Sequence, residues 1–355
     1  MNILTFKENH LILIKGGYLI MSNIKDRVDQ CIKILQNNKS TKERKAAVKE
    51  LNALGFSAEA ALPELMNIIS KKDDFSIQSL AEEAVVKIGE PAIPALKKLL
   101  KAVSKKKRLK GLGLLGEIAL MDKKVINEVL LLIKPLVRYD INSQVRLNAI
   151  SIIKKLALKY SNQQSIVELL GVVLRTERDF LVRRAAGEAL GEIKGKLVIM
   201  ELIKSMDRKN YPFFRLSGEF RVEAANAFVE IAMDKPKSIN EHIPFLLDIL
   251  DNDPYTPMRI TVLIPLIMSG GWNIIEDILE IIVKDKWLQV RMSALESADL
   301  LIHQKTSRSK ITSILPILKK IAREDKYQCV QESAQDLIEN FEDLLKEEES
   351  EDDNL

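Results

Sequence analysis

Leu181 to Gly195 reads LVRRAAGEALGEIKG, and in it Val182, Ala185, Ala186, Ala189, Leu190 and Ile193 fall on one side of a single helix. With Val182 taken as an anchor, the pattern recurs at Glu43, Ile77, Lys107, Val145, Phe220, Met258, Val290 and Val330, each with a small or apolar residue four positions on. Successive anchors lie 30 to 40 residues apart, and an apolar helical segment precedes each of them, as Leu62 to Ile69 precedes Ile77. The unit is therefore helix, turn, helix, and a short unit repeated along the whole chain predicts an all-α fold: an α-solenoid of about nine repeats wound as a right-handed superhelix.

Composition agrees. Among 355 residues, 46% are hydrophobic and only 5% aromatic, with 14 Gly and 11 Pro, which favours helices over sheet. Helix punctuation sits at the expected boundaries. Ser40-x-x-Glu43 reads as a capping box, Gly89 is followed by Pro91, and Thr256-Pro257 reads as an N-cap and first helical residue. The repeats place one domain at 22–344. Residues 1–20 carry no repeat and read as extraneous or disordered. The codons of Lys15-Gly16-Gly17 can spell a prokaryotic ribosome-binding sequence just ahead of Met21, so the reading puts the true start at Met21. Residues 345–355, with the run Glu347, Glu348, Glu349, Ser350, Glu351, Asp352, Asp353, read as an acidic disordered tail. The cysteines, Cys31 and Cys329, lie in the first and last repeats, which favours reduced thiols and a cytoplasmic protein. The apolar run Ile260 to Met268 is far short of the roughly 20 residues a membrane helix needs.

VRRAAGEALGEI, VRLNAISIIKKL, FRVEAANAFVEI, VRMSALESADLL and RKAAVKELNALG resemble HEAT repeats of the short, phycobilisome-lyase-like kind. The likeness covers Ile24 to Phe341 and rests on the apolar anchor followed by Arg and on the closing Leu-Gly-x-Ile of Leu115 to Ile118 and Leu190 to Ile193. Gln78 and Gln331 stand where the family pattern has Arg, and Glu43 and Lys107 are polar anchors. The resemblance implies an armadillo-like helical scaffold for protein binding. It also implies rarer chemistries, a bilin lyase, a DNA glycosylase or a relative of deoxyhypusine hydroxylase. For the last, His10, His242 and His303 lack the His-Glu pairing that two irons require. No P-loop, nucleophile elbow or Cys-x-x-Cys is present, so no catalytic residue, metal site or cofactor is assigned.

Arg44, Arg108, Arg146, Arg183, Arg221, Arg259 and Arg291 share one position just after the anchor, often with an acid shortly before it, as at Asp140, Asp179, Asp253 and Asp285. This is either a phosphate-binding ladder or a set of struts tying the turn of one repeat to the helix of the next, and the fixed fork of Arg favours the struts. Lys97, Lys98, Lys101, Lys105, Lys106, Lys107, Arg108 and Lys110 form a run without acids, and without the six tail acids the net charge rises from +4 to +10. The run is a solvated turn or an attraction for nucleic acid or an acidic partner; no aromatic is interleaved to stack bases. The longest turn within a repeat carries Tyr211, Phe213, Phe214 and Arg215, either as a protrusion that binds a partner or as a plug over neighbouring repeats.

If the anchor and positions three, four, seven and eight beyond it face the core, positions two, five and nine face away. They are apolar at Leu109, Leu112, Leu147, Ile150, Val222, Val229, Ile260, Leu263, Ile267, Met292 and Leu295, and Gly187 leaves room for another backbone. The reading is a monomeric, non-enzymatic scaffold or adaptor that holds a protein or peptide along an apolar inner groove, with nucleic-acid binding as its rival.

Overall fold

The computed structural model describes residues 9–13, 19–37, 40–71, 74–160, 164–211, 217–303 and 308–352. From Ile24 onward the described residues are helices and their connections. The first four repeats pair α1 (Ile24–Asn37) with α2 (Thr41–Leu54), α3 (Leu62–Ser70) with α4 (Phe75–Ile88), α5 (Ile93–Leu100) with α6 (Lys105–Met121), and α7 (Ile126–Tyr139) with α8 (Ser143–Lys159). The next two pair α9 (Gln164–Thr176) with α10 (Phe180–Ile193) and α11 (Lys196–Met206) with α12 (Ser217–Asp234). In the seventh, α13 (Ile243–Asn252) meets a second helix broken into α14 (Thr256–Thr261) and α15 (Leu263–Gly270). The last two pair α16 (Ile275–Lys284) with α17 (Leu288–Ala298) and α18 (Arg308–Glu324) with α19 (Gln328–Asp352). This is an α-solenoid. Where the sequence reads as one domain, the pairs gather into two compact units, four in Met1–Ser161 and five in Asn162–Leu355.

Local chemistry sets the ends of these helices. Ser40 caps α2 by accepting from the Glu43 amide, and Asp74 and Asp179 cap α4 and α10 through two amides each. Helix α14 begins at Thr256 with Tyr255 as its N-cap, one residue earlier than Thr256-Pro257 suggests. The break after Thr261 has a plain cause: Pro265 has no amide to offer the Thr261 carbonyl, and its ring crowds that oxygen.

Within each unit a second helix meets its own first helix and also the second helices before and after it, as α6 meets α5, α4 and α8, and α12 meets α11, α10 and α14. Three sides are therefore covered. Val145, Val182, Met258, Val290 and Val330 are fully buried as anchors, each such burial contributing roughly 1.5–3 kcal/mol. The polar anchors Glu43 and Lys107 are exposed.

This third covered side corrects the groove expected from the helical wheel. Leu112, Ile150, Leu263, Ile267 and Leu295 are buried in the core, and so is Gly187. The row left half-buried or open on a second helix lies two, six and ten positions past the anchor, as Arg184, Glu188 and Glu192 do on α10. Leu109, Leu147, Val222, Ile260 and Met292 stay half-buried on it, with Val229 beside it.

At the chain start, residues 1–8 and 14–18 of the segment read as extraneous lie outside the described residues. Its described parts pair as antiparallel strands, β1 (Asn9–Leu13) with β2 (Leu19–Asn23), Leu11 opposite Met21. At the other end, where a disordered tail is expected from residue 345, the backbone of α19 is helical to Asp352. Glutamates are good helix formers, and the helix propagates into them from the packed stretch Val330 to Phe341. Cys31 is buried and Cys329 exposed, both as free thiols, and burial pushes the Cys31 thiol up from its ordinary value.

Candidate partner-binding cleft

The arginines after the anchors settle into a ladder whose logic defines the site. Arg108 grips the Asp140 carboxylate with both arms of its fork, Nε to Oδ2 at 2.6 Å and Nη2 to Oδ1 at 2.8 Å. Arg221 does the same to Asp253, Arg259 reaches Asp285 at 3.1 Å, and Arg291 reaches Asp325 at 2.8 Å. Each acid belongs to the following repeat, five residues before its anchor, and its carboxylate also accepts the amide two residues on. At three of the four the carbonyl is also held by the residue after the next anchor: Arg146 on Asp140, Arg259 on Asp253, and Gln331 on Asp325. The struts are thus structural, and Gln331 keeps the carbonyl half of the arrangement without a charge.

Asp140 shows the electrostatics. Burial works against its charge, but the Arg108 hydrogen bonds, the Asn142 amide and the nearby Arg146 outweigh it and hold the carboxyl below its ordinary value. The Arg108 guanidinium is raised in turn, chiefly by its bond to Asp140. Asp179 is not a strut. Its side chain caps α10, and Glu177 stands five residues before Val182, accepting the Asp179 amide at 2.8 Å.

The ladder changes character at Arg183. Its side chain is buried, and Nη1 donates to the carbonyls of Glu177 at 3.1 Å and Arg178 at 2.9 Å. Among the described residues no carboxylate forms an ion pair with it. Aromatic faces take that place, the guanidinium lying 4.3 Å from the Phe220 ring centroid and 5.9 Å from that of Phe180. A cleft of about 790 Å³ opens here, lined by Arg178, Phe180, Arg183, Glu219, Phe220, Val222, Glu223, Tyr255 and Pro257. Phe180 and Leu181 flank it, more than half exposed. Burial pushes the Glu223 carboxyl up from its ordinary value, against a hydrogen bond to Asn226 and the charge of Arg183.

Two glycines shape the cleft. A Cβ on Gly187 would stand 2.8 Å from the Glu223 carbonyl oxygen, so the backbone it admits is the chain's own α12 rather than a partner's. A Cβ on Gly218 would strike the Tyr255 ring at 2.3 Å, so this glycine lets the ring lie against the start of α12.

Of the expected groove residues, the cleft takes in Val222. Tyr211 faces inward: its hydroxyl donates to the Ser205 carbonyl at 2.6 Å, its ring meets Phe220 edge-on at 6.5 Å, and burial pushes its phenol well up. Phe213, Phe214 and Arg215 lie outside the described residues. Lys106, Lys107 and Lys110 line a second cavity, of about 320 Å³ in the first unit, with Lys71, Gln78 and Phe75; Lys105 is exposed beside it, and Lys110 pairs with Glu82. Phe75, 84% exposed, supplies the aromatic that the lysine run itself lacks. Phe180 and Phe75 carry one signal that sequence reasoning passed over: each follows an aspartate that caps its helix, in the pairs Asp74-Phe75 and Asp179-Phe180.

Among the described residues no group of three or more His, Cys, Asp or Glu side chains converges as a metal site would require, and no helix is long and apolar enough to cross a membrane. No family model matches the chain, and no curated protein matches it. Solved structures do. The karyopherin Kap121p bound to Ste12p aligns at a TM-score of 0.55 and 15% identity over 90% of this chain, and Kap121p bound to the extreme C-terminus of the phosphatase Cdc14p at 0.55 and 14% over 90%. This chain spans 37% and 38% of those two chains, little more than a third of their length. At such identity the likeness is one of fold: the chain is an α-solenoid of the architecture seen in karyopherins.

Proposed function

We propose that this chain is a protein-binding scaffold that holds a peptide segment of a partner in the cleft between α10, α12 and the turn into α14. The observation that carries this is the cleft lining itself. Three aromatic rings, an aliphatic wall and charges of both signs meet in one concavity, which is the chemistry of peptide recognition. The Kap121p structures are complexes with protein partners, and an α-solenoid offers the extended surface such binding uses. Panning a random peptide library against the full chain tests the reading. Selected peptides are expected to lose binding to a Phe180→Ser, Val222→Lys double variant that keeps its helicity; equal binding to that variant would overturn it.

A second reading, nucleic-acid binding, is favoured by the lysine-lined cavity with Phe75 in the first unit. Fluorescence anisotropy with a labelled single strand separates the two. Steeply salt-dependent binding, lost on Lys106→Glu with Phe75→Ala, is its expected outcome, and no binding at low salt would dismiss it.

A further inference from the structure

We infer that one edge of the first unit docks on an anionic lipid surface, with Phe75, Val103 and Ile141 dipping among the lipids and the lysines around them holding the headgroups. This edge is separate from the peptide cleft, which lies in the second unit. It is formed by the turns that join the two helices of a repeat. The turn at Asp74 leads into α4, that at Val103 into α6 and that at Ile141 into α8. Phe75, at the first turn, is 84% exposed, Val103 98% and Ile141 91%. A single exposed apolar side chain is ordinary, but three on successive turns of one edge form a patch.

The tips are neighbours, and they are held in place. Arg108 donates to the carbonyls of Ala102 at 3.0 Å and Val103 at 2.8 Å, while the rest of its fork grips Asp140, so one guanidinium ties the second turn to the third. Phe75 and Lys71 share the cavity of about 320 Å³ with Ser104, Lys106 and Lys107, which joins the first turn to the second. Asp74 and Asn142 cap α4 and α8, which fixes the backbone on either side of the patch. The repeat does not impose apolar tips. Four residues before an anchor, where the first unit has Val103 and Ile141, the described residues of the second unit have Arg178, Pro254, Lys286 and Lys326.

Charge selects the occupant. Lys71, Lys101, Lys105, Lys106 and Lys107 are exposed along this edge, and among the described residues none of them is in an ion pair. Arg138, two residues ahead of Asp140, is exposed and lies over the Tyr139 ring at 4.9 Å, an amphipathic pair of the kind that sits at a lipid boundary. Of the described acids in these turns, Asp140 is taken by Arg108 and Asp74 by its cap. Lys72 and Asp73 cancel in charge. Anionic headgroups answer the lysines, and the acyl boundary answers the apolar tips. Nucleic acid would answer only the lysines and leave Val103 and Ile141 in water.

Sedimentation of the full chain with vesicles tests this, using phosphatidylcholine alone and phosphatidylcholine mixed with phosphatidylserine. Binding to the mixed vesicles is expected at low salt, with binding to the neutral ones weaker by about tenfold or more. Val103→Ser with Ile141→Ser changes exposed positions, so helicity stays and binding is expected to fall about tenfold. Lys106→Glu with Lys107→Glu is expected to weaken binding by at least the same factor. No sedimentation with the mixed vesicles at low salt would overturn the inference. So would vesicle binding that the Val103 and Ile141 variant leaves unchanged, and tight binding of a labelled single strand by that variant would then assign the lysines to nucleic acid.

Discussion

Arg221 and Arg183 occupy the same position in neighbouring repeats and are buried to the same degree, yet they live by different chemistry. Arg221 is clamped to Asp253 by both arms of its fork, whereas Arg183 holds two carbonyls and leans on the Phe220 ring. The first arrangement fills its space with the chain's own charge, and the second leaves a cleft. What differs is the acid: Asp253 ends α13 five residues before Met258, whereas the acid that ends α11, Asp207, stands thirteen residues before Phe220 and accepts the Lys209 amide.

The contrast predicts unequal losses. Arg221→Ala strands the buried Asp253 carboxylate and is expected to cost about 3–5 kcal/mol in denaturant unfolding. A cost below about 1 kcal/mol would show that the strut is not structural. Arg183→Ala strands only neutral carbonyls and loses its contacts with the Phe220 and Phe180 rings, so about 1–3 kcal/mol is expected. A larger loss than at Arg221 would reverse the comparison.

Two buried carboxyls sharpen it through pH. Asp140 is held below the ordinary carboxylate value of about 4, so the stability it contributes is present above that pH and is lost as pH falls through its lower folded value. Glu223 is pushed up, so its contribution runs the other way. Stability is lost as pH rises from the ordinary carboxylate value through the raised one, because folding then has to bury a charge. Melting temperatures taken across the acidic range are expected to show Asp140→Asn flattening the acid limb and Glu223→Gln stabilising the chain near neutrality. Identical pH profiles for the two variants would contradict the assignment. The smallest effect is expected at the end of the chain. Deleting Glu347 to Leu355 removes the acidic run without an apolar face, and stability should change by no more than about ±0.5 kcal/mol.

The helix pairs were legible because their signals are local: an apolar face at period 3.6, capping residues, and an Arg after the anchor. The groove was not, because a helical wheel assumes a helix covered on one side. Leu112 and Leu263 lie on the face the wheel turns away from the core, yet both are fully buried in helices that also meet the second helices beside them, a contact that exists only once repeats stack. Gly187 carried a correct message, close backbone approach, about the wrong backbone. The struts were readable as a pattern but not in register: Asp179 looks like an acid for the ladder and is a cap, while Glu177 holds the ladder position. The cleft needed the structure, since its rings come from three separate repeats and become neighbours only after folding.

The central claim is that an Arg after an anchor is tied to the acid that ends the first helix of the next repeat, and that this pair holds the stack. A double-mutant cycle on Arg221 and Asp253, read by denaturant unfolding, tests it most directly. The account predicts that the losses from Arg221→Ala and Asp253→Ala are coupled by about 0.5–3 kcal/mol, while simply additive losses would contradict it.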